Sequence, residues 1–474
     1  MIELNQIPLI MVSGVHSGSG KTTLTLGLVA ALKRRGLKVQ TFKVGPDYLD
    51  PSWLALASGR PCYNLDGWMC DREYVEALFD RVTQDADIAV IEGVMGLFDG
   101  AQSGGLSGSS AEIAHWLNAP VILTVSAHGM GRSIAPLVSG FSHFATGVRI
   151  AGVIANHCGS DTHRALLADA LTSSNLPPLV GAVPRMGFPE LRSRHLGLVT
   201  ADAANCNQET LQAFEQAAET YLDVKMLLHI AGEARKTITH LPCSTVCSVC
   251  KNNPSTFTLA VAKDEAFHFY YPDLLDEFKR RGANILFFSP LRDVALPSGV
   301  DAIYLGGGYP EVYAKTLSEN VGMSDSIRAF VKADGVIYAE CGGLIYLTQS
   351  LLTRAGEEYP LVGLVPSKTR MTDKRIRLGY VEIKLKADSL WGKAGTILRG
   401  HEFHYGELIS SPAQDECVAW STVYERRRQN GLPETDEGFQ SENGHVLASF
   451  VHLHLASHPE ALDQFVRLCC KAKC

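Results

Sequence analysis

The stretch Gly14-Val15-His16-Ser17-Gly18-Ser19-Gly20-Lys21-Thr22-Thr23 follows an apolar run and opens an apolar-periodic segment. That order of strand, glycine-rich loop and helix constrains the fold more than anything else in the chain. Glycines let the loop backbone wrap an anion, and the helix behind it turns its own free N–H groups to the same point. Such a loop needs a strand beneath it and a helix on the sheet face, which selects an α/β layer architecture.

The rest of the first half agrees. Val- and Ile-rich runs over 7–12, 38–43, 87–91, 120–125 and 149–155 read as strands, with a helix over 22–34. Strands of this kind, separated by helical patterns, form a parallel sheet covered on both faces. Residues 201–228 read as helical, and 236–256 are rich in Pro, Ser, Thr and Asn. The pattern then restarts, with strands over 257–262, 284–288, 302–305, 336–339 and 445–455 and a helix over 271–281. A chain of 474 residues has room for this division. The expected organisation is a nucleotide-binding domain over 1–228, a linker over 229–256 and a second α/β domain over 257–474.

The net charge of −7 argues against general nucleic-acid binding. No apolar run is long enough to span a bilayer. The first residues lack a basic region and a small-residue cleavage site, so a cytoplasmic location is expected. Twelve cysteines are many for that compartment. Cys243, Cys247 and Cys250 have a spacing also used by iron–sulfur enzymes. They lie in a polar stretch without an obvious fourth ligand, and with Cys469, Cys470 and Cys474 they read as incidental thiols.

Lys21 and Thr22 stand where a P-loop places its phosphate-binding lysine and its Mg²⁺ hydroxyl, with Gly18, Gly20 and Thr23 around them. Gly20 comes six residues after Gly14, one more than the usual spacing. Asp47 and Glu92 follow expected strands, and ligands in doubly wound folds gather at those strand ends. Both acids are candidate Mg²⁺ ligands beside Thr22, and Lys43 adds charge for phosphoryl transfer.

In the second half, Glu340-Cys341-Gly342-Gly343 places one cysteine between a strand and a glycine pair. Such a turn holds a thiol upright and frees N–H groups for an oxyanion, with Gly342 as one donor. Gly307, in Gly306-Gly307-Gly308-Tyr309-Pro310-Glu311, is the candidate second donor. A thiolate needs a base, and His452, His454 and His458 are at hand. In a single strand over 445–455, His452 and His454 would share a face.

These phrases are similar to those of the cobyrinic acid a,c-diamide synthases. So are Phe42-Lys43-Val44-Gly45-Pro46-Asp47-Tyr48-Leu49-Asp50-Pro51, Asn64-Leu65-Asp66, Glu92-Gly93-Val94-Met95-Gly96-Leu97-Phe98-Asp99-Gly100 and Phe269-Tyr270-Tyr271. The resemblance covers nearly the whole chain. It implies a synthetase domain like dethiobiotin synthetase, whose subgroup has the longer P-loop, followed by a class I glutamine amidotransferase-like domain. It implies ATP and Mg²⁺, glutamine as nitrogen donor, and amidation of peripheral acetates on a corrinoid precursor. By the same resemblance Cys341 is the nucleophile, His452 its activating base, and Thr22, Asp47 and Glu92 the Mg²⁺ positions. A His458/Glu460 pair, in the ending His458-Pro459-Glu460, is the second choice for the base and its acid.

The same chemistry would serve sirohaem, sirohydrochlorin or nickel-sirohydrochlorin. A reading of another class is a P-loop regulatory or partitioning ATPase, in which the second domain only binds.

Overall fold

Seven short apolar stretches in the first half alternate with helices and assemble into one sheet. They are β1 (Leu9–Gly14), β2 (Val39–Val44), β3 (Tyr63–Leu65), β4 (Ile88–Glu92), β5 (Val121–Ser126), β6 (Ile150–Cys158) and β7 (Leu179–Pro184). The sheet order is β3-β2-β4-β1-β5-β6-β7, and every pairing is parallel. Strands β1 and β2 are buried at every position, as both faces are covered. The computed structural model describes residues 6–102, 104–191, 193–194, 197–198, 208–234, 236–237, 257–414, 420–427 and 435–471.

Helix α1 (Lys21–Arg34) starts straight after the glycine loop, and α2 (Asp50–Ser58) follows β2. Leu24, Leu28, Trp53, Leu54 and Phe214 pack in one core against Ile10, Val12 and Val90. Strands β3 and β7 have no counterpart in the sequence reading; β3 has only three residues. The helical stretch expected over 201–228 is two helices, Gln208–Tyr221 and Val224–Glu233, parted where Asp223 caps the second. The second helix runs past residue 228, and its Ile230 and Ala231 lie in the core. The chain divides into the units Met1–Pro242 and Cys243–Cys474. Cys243, Cys247, Cys250 and Cys474 lie outside the described residues.

The second unit holds a ten-stranded mixed sheet. Its strands are β8 (Phe257–Ala262), β9 (Ala283–Phe288), β10 (Ala302–Leu305), β11 (Val336–Glu340), β12 (Arg377–Leu385), β13 (Ile397–His404), β14 (Trp420–Arg427), β15 (Thr435–Ser441), β16 (Val446–Ser449) and β17 (His452–Leu453). The order is β9-β8-β10-β11-β16-β15-β14-β12-β13-β17. The first five are parallel, and the rest join antiparallel. Register sets Leu305 beside Ala339 and Glu340 beside Ser449, so the loops after β10 and β11 emerge together.

The single late strand expected over 445–455 is broken in two. Glu437 accepts from the Ser449 hydroxyl and, at 2.7 Å, from Phe450 N–H, while the Ser449 hydroxyl accepts from Val451 N–H at 2.9 Å. Side-chain acceptors thus take the N–H groups that a continuing ladder would use, and the chain turns away from β11. It re-enters as β17 beside β13, pairing His452 with His401.

Candidate functional sites

In the first unit the glycine loop is tightly built. Gly18 and Gly20 have φ of 79° and 96°, a region open to glycine and costly for other residues. A Cβ on Gly20 would lie 2.3 Å from Asn156 Nδ2, which itself donates to Ser19 O at 3.0 Å. Gly20 also forms the N-cap of α1 and offers no side chain to its first turn. The first-turn N–H groups therefore stay available to an anion. Lys21 donates to the carbonyls of His16 and Met95, which folds its ammonium across the loop. Burial, with Lys43 nearby, lowers the Lys21 pKa.

Beside the loop, Thr22 Oγ1 lies 2.6 Å from Glu92 Oε1 and 3.2 Å from Asp50 Oδ2. Lys43 Nζ bridges the same two carboxylates at 2.6 Å each. Register makes this contact, because Lys43 on β2 pairs with Glu92 on β4. Asp47 stands further out, 3.9 Å from Lys43, and accepts from Leu49 N–H at 2.8 Å at the entry to α2. The carboxylate nearest Thr22 besides Glu92 is thus Asp50, which sequence reasoning passed over in favour of Asp47. An acid in the first turn of a helix after a strand end was the available signal.

Burial pushes Glu92 up to about 7 against the pull of Lys43, and burial with Asp50 does the same to Asp47. Burial opposes the charge of Lys43, but Asp50 and Glu92 outweigh it and raise its pKa. Glu92 Oε2 is buried and has no hydrogen-bond partner among the described residues. That orphaned oxygen, with a hydroxyl and a second carboxylate adjacent, fits the all-oxygen ligation a hard dication requires. A cavity of about 1,220 Å³ opens over the loop, lined by Lys21, Thr22, Lys43, Asp50, Asn156 and Phe188 among others.

The second site lies wholly in the second unit. Cys341 follows β11 and caps the short helix Gly342–Leu347 with φ 47° and ψ −97°. A non-glycine residue held there stores roughly 1–3 kcal/mol of strain, which the surrounding packing must hold. Its N–H donates to Ser449 O at 2.7 Å, and the residue is 6% exposed. His452 lies within electrostatic reach of the Cys341 side chain, whose thiol donates to Phe403 O at 3.8 Å. Burial alone would lower the His452 pKa; Cys341 and then Glu340 outweigh it and raise it to about 10. Glu340 lies 3.8 Å from His452 Nδ1.

Both expected oxyanion glycines are at the thiol turn. A Cβ on Gly342 would sit 3.0 Å from Gly308 N, and one on Gly307 would sit 2.5 Å from His452 Cε1. His454 goes elsewhere, 3.2 Å from Asp273. His458 is half-buried and Glu460 is exposed in the first turn of helix Pro459–Lys471. The carboxylate beside His452 is Glu340. A glutamate inside the otherwise apolar Val336-Ile337-Tyr338-Ala339-Glu340 was the signal for it, since a buried acid in a strand needs a reason.

Among the described residues no helix is long and apolar enough to cross a membrane. Residues 10–198 match the CobQ/CobB/MinD/ParA nucleotide binding domain, and residues 258–460 match the CobB/CobQ-like glutamine amidotransferase domain. The cobyrinate a,c-diamide synthase of Syntrophotalea carbinolica is 49% identical over 462 residues, covering 98% of each chain. That of Salmonella typhimurium is 41% identical over 460 residues, covering 96% of this chain and 97% of its own. That of Leptospira interrogans is 39% identical over 464 residues, covering 98% and 99%. Each of these relatives is matched over 97% or more of its own length: the chain belongs to the cobyrinate a,c-diamide synthase family.

Proposed function

We propose that this chain amidates the a and c acetate side chains of cobyrinic acid in cobalamin biosynthesis, taking nitrogen from glutamine and energy from ATP. The observation that carries this reading is the pairing of a Cys341–His452 couple in one unit with a P-loop and an orphaned Glu92 oxygen in the other, in a chain aligned end to end with such synthases.

In the thiol unit, His452 takes the proton of Cys341, and the thiolate attacks the side-chain carbonyl carbon of glutamine. N–H groups at Gly307 and Gly342 receive the oxyanion. His452 then gives its proton to the leaving nitrogen, which departs as ammonia and leaves a thioester. Water, deprotonated by His452, attacks the thioester; glutamate leaves and the thiol is restored.

In the P-loop unit, bound ATP supplies a phosphoryl group that turns an acetate carboxylate into an acyl phosphate, from which ammonia displaces phosphate. Thr22, Asp50 and Glu92 are the residues to hold Mg²⁺, with Asp47 behind them. Lys21 and Lys43 offset negative charge on the transferring group. Gly18, Gly20 and Thr23 shape the loop that holds the phosphates.

Gly307→Ala tests the oxyanion side of this scheme. The added methyl meets His452, so release of glutamate from glutamine is expected to fall by about 10²-fold or more. Wild-type release from the variant would remove Gly307 from the site.

The ring is tested by mass spectrometry of products formed with ATP, Mg²⁺ and glutamine. The panel is cobyrinic acid, hydrogenobyrinic acid, sirohydrochlorin, nickel-sirohydrochlorin and sirohaem. Two successive mass changes for acid-to-amide conversion on cobyrinic acid are expected. Amidation of a sirohaem-type ring instead would keep the mechanism and replace the substrate. ATP hydrolysis with no amidation of any ring would favour a regulatory ATPase.

A further inference from the structure

We infer that Glu340, the residue immediately before the nucleophile, is the positioning carboxylate of the Cys341–His452 couple, in the place that a triad gives to its acid. The inference rests on the glutaminase reading of Cys341. It is carried by what surrounds Glu340. Glu340 is 1% exposed, as is His452. Oε2 accepts from the Tyr304 hydroxyl at 2.8 Å, and Oε1 accepts from the Tyr338 hydroxyl at 2.6 Å and from Leu453 N–H at 3.1 Å. All three donors are neutral. Among the described residues, His452 is the one basic side chain within ion-pair distance of Glu340.

A buried carboxylate without a full cation nearby is costly, and the cost falls when the facing imidazole takes a proton. Glu340 therefore favours the imidazolium that His452 becomes when it takes the thiol proton. The Leu453 bond also ties Glu340 to the short strand that carries His452. One side chain thus both places the base and stabilises its charged form. The separation of 3.8 Å is longer than a hydrogen bond, as catalytic contacts often are before substrate is bound.

The other buried acids of this unit are engaged elsewhere, Asp264 accepting from the Ser289 hydroxyl at 2.8 Å. Asp273 faces His454, Glu402 pairs with Arg426, and Glu437 holds Ser449 and Phe450. Two imidazoles near His452 are disfavoured in their charged form. His401 stacks on it at 4.9 Å, and burial, then His452 itself, keeps its pKa well below the usual value. His404 is within electrostatic reach and is pushed down to about 4, chiefly by burial. Phe269 closes the site as a ring neighbour.

The test uses the full chain and two readouts, glutamate release and the pH dependence of Cys341 alkylation by iodoacetamide. Glu340→Gln keeps the shape and an acceptor for Leu453 but removes the charge; Glu340→Asp keeps the charge. Each is first checked for an unaltered melting transition. Glu340→Gln is expected to lower kcat for glutamate release by about 10²-fold with little change in KM. Its alkylation profile should move to higher pH by about one unit or more, because the thiolate–imidazolium pair loses its third charge. Glu340→Asp should return the profile toward wild type. A Glu340→Gln enzyme with wild-type kcat would overturn the inference. So would one that loses activity with its alkylation profile unmoved, since that is a structural role alone. A wild-type chain that releases no glutamate would instead sink the glutaminase reading, while the alkylation comparison still decides the role of Glu340.

Discussion

Replacing Cys341 by serine is expected to abolish glutamine-dependent amidation while amidation supported by ammonium salts continues at the wild-type rate. The loss should be at least about 10³-fold, because a hydroxyl is far harder to ionise than a thiol and gives up the covalent route. Serine is nearly the same size, so the φ of 47° at this turn and the packing of its loop are kept. The P-loop, Lys43, Asp50 and Glu92 all belong to the other unit. Ammonia added from solution enters the scheme after the step that the thiol performs. Two assays check the prediction on one preparation: glutamate release, and the mass of the ring product with glutamine or with ammonium chloride. A serine variant that still released glutamate at the wild-type rate would remove Cys341 as nucleophile.

The parts of this machinery that sit next to a backbone signal were legible in the sequence. Lys21 and Thr22 follow a glycine-rich loop between an apolar run and a helical pattern, and the structure has that order of strand, loop and helix. Cys341 precedes a glycine pair at a strand end, and the turn has the strained geometry that this pattern implies. The strand over 257–262 matches β8, because an isolated Val- and Ala-rich run between polar stretches has few other options. What escaped depends on contacts between distant residues. Asp50 and Glu92 meet because Lys43 and Thr22 draw them together across two strands and a helix. Asp47, three residues earlier, has much the same local text but spends its oxygen on the helix entry.

The late strand failed for a related reason. The largely apolar run over 445–455 reads as one strand, yet Glu437 and Ser449 capture the N–H groups that would extend it. The consequence is that His452 and His454 serve different carboxylates. Periodicity describes what a strand does if it continues, and says nothing of a buried acid that ends it.

Lys21→Ala is expected to give the reverse phenotype of the serine variant: ATP-dependent amidation falls with either nitrogen source, while glutamate release persists. Lys21 is the first residue of α1, and its ammonium lies over the loop on the carbonyls of His16 and Met95. From there it can turn to phosphate oxygens without a change in the backbone. Removing it leaves the transferring group without its nearest mobile cation. Lys43 cannot substitute, since it is held between Asp50 and Glu92 at 2.6 Å from each. A preorganised charge of this kind contributes about 10²- to 10³-fold to the rate. Arginine should not rescue the loss: Lys21 is 7% exposed, and a planar fork does not fit where a compact ammonium does. The checking measurement is product formation with ATP and ammonium chloride, read beside ATP hydrolysis and glutamate release. A Lys21→Ala enzyme with full amidation would move the phosphate site away from this loop. Because the two variants cut different steps, each also controls for unfolding in the other: only an intact chain loses one activity and keeps its partner.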